Sequence, residues 1–232
     1  MDGNKMSKTL KEMEAELQEP IEPFDMDDKM GMIHNIDCLE FMKQVPDNYF
    51  DLVLTDPPYG INESGGKFRG RKGGGHRVLE KKNWDKETPS KEIFDEIFRI
   101  SKNQIIWGAN YFTDKGIPPS MGWIYWDKRM GGDFSDGELA FTSFNKALKS
   151  YSKCNKMRGK KHPTQKALEI IEFSLEYAKV EKHHKVFDPF MGSGTTAIAA
   201  ESLGLQWCGC ELEADYVAIA NKRLEAVQGS LF

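Results

Sequence analysis

The sequence predicts an α/β domain built on a mostly parallel sheet. Three observations carry this. Predicted strands and helices alternate along most of the chain; residues 50–54 form a nearly continuous apolar run, as strands buried on both faces do; and a glycine loop at 192–194 joins a strand to a helix.

In chain order, residues 7–18 suit a short charged helix ended by Pro20 and Pro23. A strand is expected over 30–36, then a helix over LEFMKQV that Pro46 ends. The strand 50–54 stops at a double proline. Residues 60–77 are rich in glycine and basic side chains, too poor in apolar groups to build a core, so they read as a loop. Pro89 stands near the start of a helix whose stripe is Ile93, Phe94, Ile97 and Ile100. Strands QIIWG and WIYWD follow, and 138–152 reads as an apolar stretch passing into basic polar sequence. A helix is expected over 163–179, with Pro163 in its first turn. Then come strand KVFDPF, the glycine loop, a helix stopped by Gly204, strand QWCGCEL and a helix from about 214 to 227.

Length allows one well-buried domain, expected over 30–232 behind an acidic arm over 1–29 (Glu12, Glu14, Glu16, Glu19, Glu22, Asp25, Asp27, Asp28). No apolar run approaches the roughly 20 residues a membrane span needs, and the N-terminus has no signal-peptide core, so a cytoplasmic protein is expected. Cys38, Cys154, Cys208 and Cys210 form no CxxC pair and read as reduced thiols. His162 lacks partners at ligand spacing, His183 and His184 read as exposed and structural, and no metal is expected. The net charge of −4 argues against a simple nucleic-acid coat, but its distribution is uneven. One basic segment, within the loop 60–82, holds Lys67, Arg69, Arg71, Lys72 and Arg77; a second holds Lys153, Lys156, Arg158 and Lys160. Both suit phosphate contact, although charge runs are commonly only solvated. Trp107, Tyr111, Trp123 and Trp126 read as core.

Two motifs carry chemistry. In FDPFMGSGTT, Asp188, Pro189, Phe190, Gly192, Ser193, Gly194 and Thr195 link a strand to a helix N-terminus. There the backbone can approach a ligand and offer free N–H donors. Glu211, with Leu212 after it, ends the next strand, where a carboxylate can accept hydrogen bonds from both ribose hydroxyls of a nucleoside. No phosphate-binding GxxxxGK[ST] is present. The second motif is Asp56-Pro57-Pro58-Tyr59 at the end of a buried strand. A carboxylate and the Pro57 carbonyl can accept the two N–H bonds of an exocyclic amino group, favouring the tetrahedral geometry that attack on a methyl sulfonium requires. An aromatic ring can stack on a base swung out of its helix. By themselves the motifs also suit a tight packing turn and a capped rigid turn.

TDPPYG, HPTQK, FDPFMGSGTT and GCELEADYVAIANKRL together, in this order, resemble the amino-methyltransferases of DNA, in the permuted arrangement of their β class. The resemblance covers roughly residues 30–227. It implies a Rossmann-like class I methyltransferase sheet of seven strands, one antiparallel, circularly permuted in motif order. It also implies S-adenosyl-L-methionine as methyl donor, double-stranded DNA as substrate and a restriction-modification setting. Asp56, Pro57, Pro58 and Tyr59 would act on the base. Asp37, Cys38, Asp56, His162, Thr164, Gln165, Lys166, Asp188, Pro189, Phe190, Gly192, Ser193, Gly194, Thr195, Glu211 and Leu212 would line the cofactor site.

Two features depart from the pattern: Ala167 stands where the family usually has proline after HPTQK, and only 141–161 is available as a recognition segment. Specificity would then rest on the basic stretches and on a homodimer or partner subunit. Aspartate at the head of the tetrapeptide favours adenine N6 over cytosine N4. RNA as substrate, a non-catalytic binding subunit and a nicotinamide enzyme are the other readings. Asp127-Lys128 resembles a family WDK element whose role the sequence does not give.

Overall fold

The computed structural model describes residues 25–61, 87–129, 135–153 and 166–228. The arm helix expected over 7–18, the basic loop, His162, Thr164, Gln165, Lys156, Arg158, Lys160 and Cys154 lie outside the described residues. Among the described residues, eight strands form one sheet: β1 (Ile33–His34), β2 (Leu52–Thr55), β3 (Gln104–Trp107), β4 (Trp123–Asp127), β5 (Gly137–Thr142), β6 (Lys149–Ser152), β7 (Lys185–Asp188) and β8 (Gln206–Cys210). Their order is β1-β8-β7-β2-β3-β5-β4-β6. Only β5 runs antiparallel to its neighbours β3 and β4. The count exceeds the expected seven because β6, unforeseen in the basic stretch, adds a parallel edge beside β4. β6 and the end of β5 also take up part of the segment 141–161 reserved for recognition.

Helices α1 (Cys38–Met42), α2 (Lys91–Ile100), α3 (Leu168–Ala178), α4 (Thr195–Ser202) and α5 (Ala214–Gln228) cover both faces. Apolar residues of α3, α4 and α5 pack with Leu52, Leu54, Trp107, Trp126 and Val186. Those of α1 and α2 pack with Val53, Ile106, Phe141, Phe187 and Cys208. Alternate residues of β2 therefore enter opposite cores, which is why its apolar run is unbroken. Phe187 stacks against Phe50 at 4.7 Å and Phe41 at 5.5 Å, locking α1 onto β7. Met26, within the expected arm, is 4 % exposed and belongs to this second core. Helix α3 starts at Leu168, not 163: Lys166 and Ala167 precede it, and Ala167, its N-cap, is extended. Cys38, Cys208 and Cys210 are buried free thiols, and burial pushes the Cys38 thiol up to about 12. No helix among the described residues is long and apolar enough to cross a membrane.

The topology marks one place for a ligand. From β2 the chain crosses by α2 to β3 on one side; from β7 it crosses by α4 to β8 on the other. Strands β2 and β7 are parallel neighbours, so the crevice beyond their C-terminal ends is a switch point of the sheet.

Candidate active site

Both chemical motifs open into that crevice. Asp56 directly follows β2 and Asp188 ends β7. Thr55 Oγ1 donates to Asp188 Oδ1 at 2.8 Å, the Phe190 N–H donates to the same oxygen at 3.0 Å, and Thr196 Oγ1 donates to Oδ2 at 2.6 Å. Asp188 thus ties the DPPY strand, the glycine loop and the start of α4 together. Burial raises its carboxyl to about 6 despite these three donors.

Gly194 turns the loop into α4 at φ +81, and a Cβ there would stand 2.7 Å from the Ala220 Cβ, so only glycine allows this approach of loop to α5. At Gly192 a Cβ would meet only the Phe190 carbonyl, at 4.0 Å, and would otherwise fill open space in the crevice. Arg223 of α5, unforeseen in the sequence, donates to the Ser193 carbonyl and, at 3.0 Å, to Ser193 Oγ. Glu211 accepts the Gly192 N–H at 2.9 Å and the Glu213 N–H at 2.8 Å; burial raises its carboxyl, and these bonds oppose the rise. The exposed Leu212 follows it. Asn35 donates to the carbonyls of Glu211 and Leu212, each at 2.9 Å, placing the loop before α1 beside them. In that loop the Asp37 carboxylate caps α1 through Leu39 N–H and Glu40 N–H, and Cys38 is buried. An open glycine cradle, a helix N-terminus and a carboxylate beside an exposed apolar side chain match a nucleoside that also carries an amino-acid end.

Across the crevice the Tyr59 hydroxyl donates to Asp56 Oδ1 at 2.6 Å. The Lys166 Nζ lies 3.1 Å from the same oxygen, whereas Oδ2 takes no hydrogen bond from the described residues. Burial raises the Asp56 carboxyl and Glu138 adds to the rise, with Lys166 and the Tyr59 hydroxyl opposing it. Burial also holds the Tyr59 phenol well above its ordinary range. The Tyr59 ring stacks on Tyr111 at 4.7 Å and 11°. Tyr111, expected in the core, is instead 45 % exposed, whereas Trp107 and Trp126 are buried as expected. Lys166 sits over the Trp107 ring at 4.7 Å and bonds Glu138 at 2.5 Å. Lys128, the lysine of the WDK element, pairs with the other oxygen of Glu138.

Of the basic residues expected on phosphates, Lys153 is the described one, and it pairs with Glu169 at 2.5 Å. Glu181, His183 and His184 bring ligand-type atoms within 4.8 Å of one another in the turn before β7, away from the crevice. There the Glu181 N–H donates to His184 Nδ1 at 3.0 Å, which closes the turn.

The family model for the N6/N4 DNA methylases matches residues 75–222. The chain belongs to this DNA methylase family. The methylase is 25% identical over 259 residues to the type II methyltransferase M2.MboI of Moraxella bovis, covering 88% of this chain and 91% of that protein. Its fold resembles the M1.HpyAVI–SAM complex, with a TM-score of 0.52 and 23% identity over 83% of this chain and 99% of that one. The cytosine-N4-specific PvuII DNA methyltransferase has the same fold, with a TM-score of 0.56 and 16% identity over 85% and 92% of the two chains. A class I methyltransferase sheet, expected from the motif order, is thereby established.

Proposed function

We propose that this methylase transfers a methyl group from S-adenosyl-L-methionine to N6 of adenine in double-stranded DNA, with the target base swung out into the crevice. The observation that supports this best is the juxtaposition of Asp56 and Tyr59 with the glycine cradle at one switch point. Bound there, the cofactor supplies a methyl group on a positively charged sulfur. Gly192, Gly194 and Thr195 would hold its amino-acid end by backbone approach, with Asp188, Pro189, Phe190 and Ser193 fixing the loop, and Glu211 would accept the ribose hydroxyls. Leu212, Asp37, Cys38, His162, Thr164 and Gln165 are proposed along the rest of the cofactor. Asp56 Oδ2 and the Pro57 carbonyl accept the two amino N–H bonds, so that the nitrogen lone pair leaves conjugation with the ring. Pro58 stiffens the turn, and Tyr59 offers its ring to the base. The catalysis is positioning and electrostatics: a carboxylate is too weak a base to deprotonate a neutral amine, so proton loss follows transfer.

The test is methyl transfer from radiolabelled S-adenosylmethionine into unmethylated genomic DNA, followed by digestion to nucleosides. Label in N6-methyldeoxyadenosine is expected. Label in N4-methyldeoxycytidine would move the target, and label entering only RNA would overturn the DNA assignment. Asp56→Ala is expected to abolish transfer while cofactor titration stays close to wild type; near-normal turnover would refute the mechanism.

A further inference from the structure

The residues Lys128, Glu138 and Lys166 form a row of charges that ends on Asp56. The sheet builds it. Parallel strands end at the crevice, but the antiparallel β5 begins there, so its second residue, Glu138, pairs in register with Trp126 of β4. Lys128 follows β4, and its ammonium grips Glu138 Oε1. Lys166, just before α3, lies between Glu138 Oε2 at 2.5 Å and Asp56 Oδ1 at 3.1 Å, with 5 % of its side chain exposed. The rings of Trp107 and Trp126 flank it at 4.7 and 5.9 Å.

A lysine this deeply buried needs its charge matched. Asp56 by itself would match it, so Glu138 and Lys128 are not required for neutrality; they alter where Lys166 sits. The shorter contact is to Glu138. An ammonium given wholly to Asp56 would tie up the carboxylate as a tight pair and weaken it as an acceptor. With no ammonium, a desolvated carboxylate would take up a proton and lose its acceptor character.

We propose that Glu138, braced by Lys128, is a positioning residue for methyl transfer: it holds Lys166 near enough to keep Asp56 ionised yet partly away from it, so that Asp56 keeps a strong acceptor oxygen for the target amino group. This rests on the amino-methyl transfer reading above and adds what tunes its carboxylate. The groups that face Asp56 are Lys166 from the chain before α3, Glu138 from β5, Tyr59 from its own loop and Asp188 from β7. Lys128 and Tyr111 act one contact further out. Lys166 and Lys128 together overcome burial and hold the Glu138 carboxyl down, at about 2, so its charge persists throughout the working pH range.

The experiment is the pH profile of kcat for wild type, Glu138→Gln, Glu138→Asp and Lys166→Met, with melting curves and cofactor titration on each. Removing the Glu138 charge lets Lys166 turn fully to Asp56. Glu138→Gln is therefore expected to lower kcat about tenfold and move the acid limb down by about one pH unit, the scale of one charge at contact distance. Glu138→Asp, which keeps the charge, should return the limb towards wild type. Lys166→Met should move it up. Asp188 is also raised above the ordinary carboxylate range, so the readout is the opposite sign of the two shifts. A Glu138→Gln enzyme slowed with an unmoved limb, or both variants moving the limb the same way, would overturn the proposal. Melting curves test the charge row without turnover: Lys166→Met should lose progressively more stability as pH rises, because Asp56 and Glu138 then ionise with too few partners. Absent transfer by wild type would sink the functional reading, and a Lys166→Met deficit independent of pH would sink the charge row.

Discussion

Gly108 gives a sharp test of how the Tyr59 ring, proposed to meet the base, is held. It follows β3 at φ +68, and a Cβ there would come within 2.5 Å of Tyr59 Cζ and 2.8 Å of Cδ1. Gly108→Ala therefore imposes two costs. The left-handed backbone costs an alanine about 1–2 kcal/mol. The overlap must then be relieved by moving Tyr59, whose ring is stacked on Tyr111 at 4.7 Å and whose hydroxyl bonds Asp56 at 2.6 Å. Losing the aromatic contact costs about 0.5–1.5 kcal/mol, and losing a hydrogen bond to a charged group about 1.5–3 kcal/mol. A total of about 3–6.5 kcal/mol corresponds to a fall in melting temperature of about 6–26 °C for a domain of this size. Because Tyr59 itself shifts, kcat should fall about 100-fold, the scale of an ångström-sized misplacement. Gly108 is two strands from the glycine loop of β7, so cofactor affinity should stay within about threefold of wild type. The assay is a melting curve, a cofactor titration and single-turnover transfer on one preparation. A Gly108→Ala enzyme with wild-type turnover would refute the claim that Tyr59 must keep this pose.

Two further outcomes follow from the cofactor side. Asp188 stays protonated up to about pH 6 in the folded protein but only to its ordinary 3.8 when unfolded. The folded state therefore binds more protons between those values, and stability falls as pH rises across the window, by up to about 3 kcal/mol at about 1.4 kcal/mol per unit. Asp188→Asn should flatten that slope of melting temperature against pH, and an unchanged slope would mean the carboxyl is not desolvated. Glu211→Ala removes the acceptor shared by Gly192 and Glu213; calorimetric titration should show cofactor affinity down by about 30-fold or more, on the scale of one or two charged hydrogen bonds, and an unchanged affinity would remove Glu211 from the site.

What the sequence made legible was whatever is contiguous in it. Strands β3, β4, β7 and β8 were readable because each is a short apolar run bounded by turn residues, and Asp56, Gly194 and Glu211 because each sits where a strand ends. Lys-Ser-Tyr-Ser of β6 was not, because an edge strand with only Tyr151 partly buried has no apolar alternation to show. The start of α3 was misplaced because Pro163 suggested a first turn, whereas Lys166 is drawn into the charge row and Ala167 is extended. Tyr111 was expected in the core with its aromatic neighbours, but it lies in a short 3-10 turn after Gly108 that carries it onto Tyr59. Glu138 had one visible signal, an acid inside an otherwise apolar strand. Its meaning depends on the register of β5 against β4, and Lys128 gained its role only from that pairing.

The same distinction accounts for the order of the motifs. DPPY precedes the glycine loop by more than a hundred residues in sequence, yet β2 and β7 are hydrogen-bonded neighbours, with Leu52 opposite Val186 and Val53 opposite Phe187. What the proposed chemistry needs is that adjacency, in parallel, with crossovers leaving to opposite sides. Which strand the chain visits first is immaterial to it. The Thr55–Asp188 bond makes the adjacency mechanical: the residue before Asp56 is fastened to the carboxyl that shapes the glycine loop. One carboxyl thus holds the glycine loop and the strand that carries the DPPY motif together. Permuting the chain leaves that bond in place, since it joins strand ends and not consecutive segments.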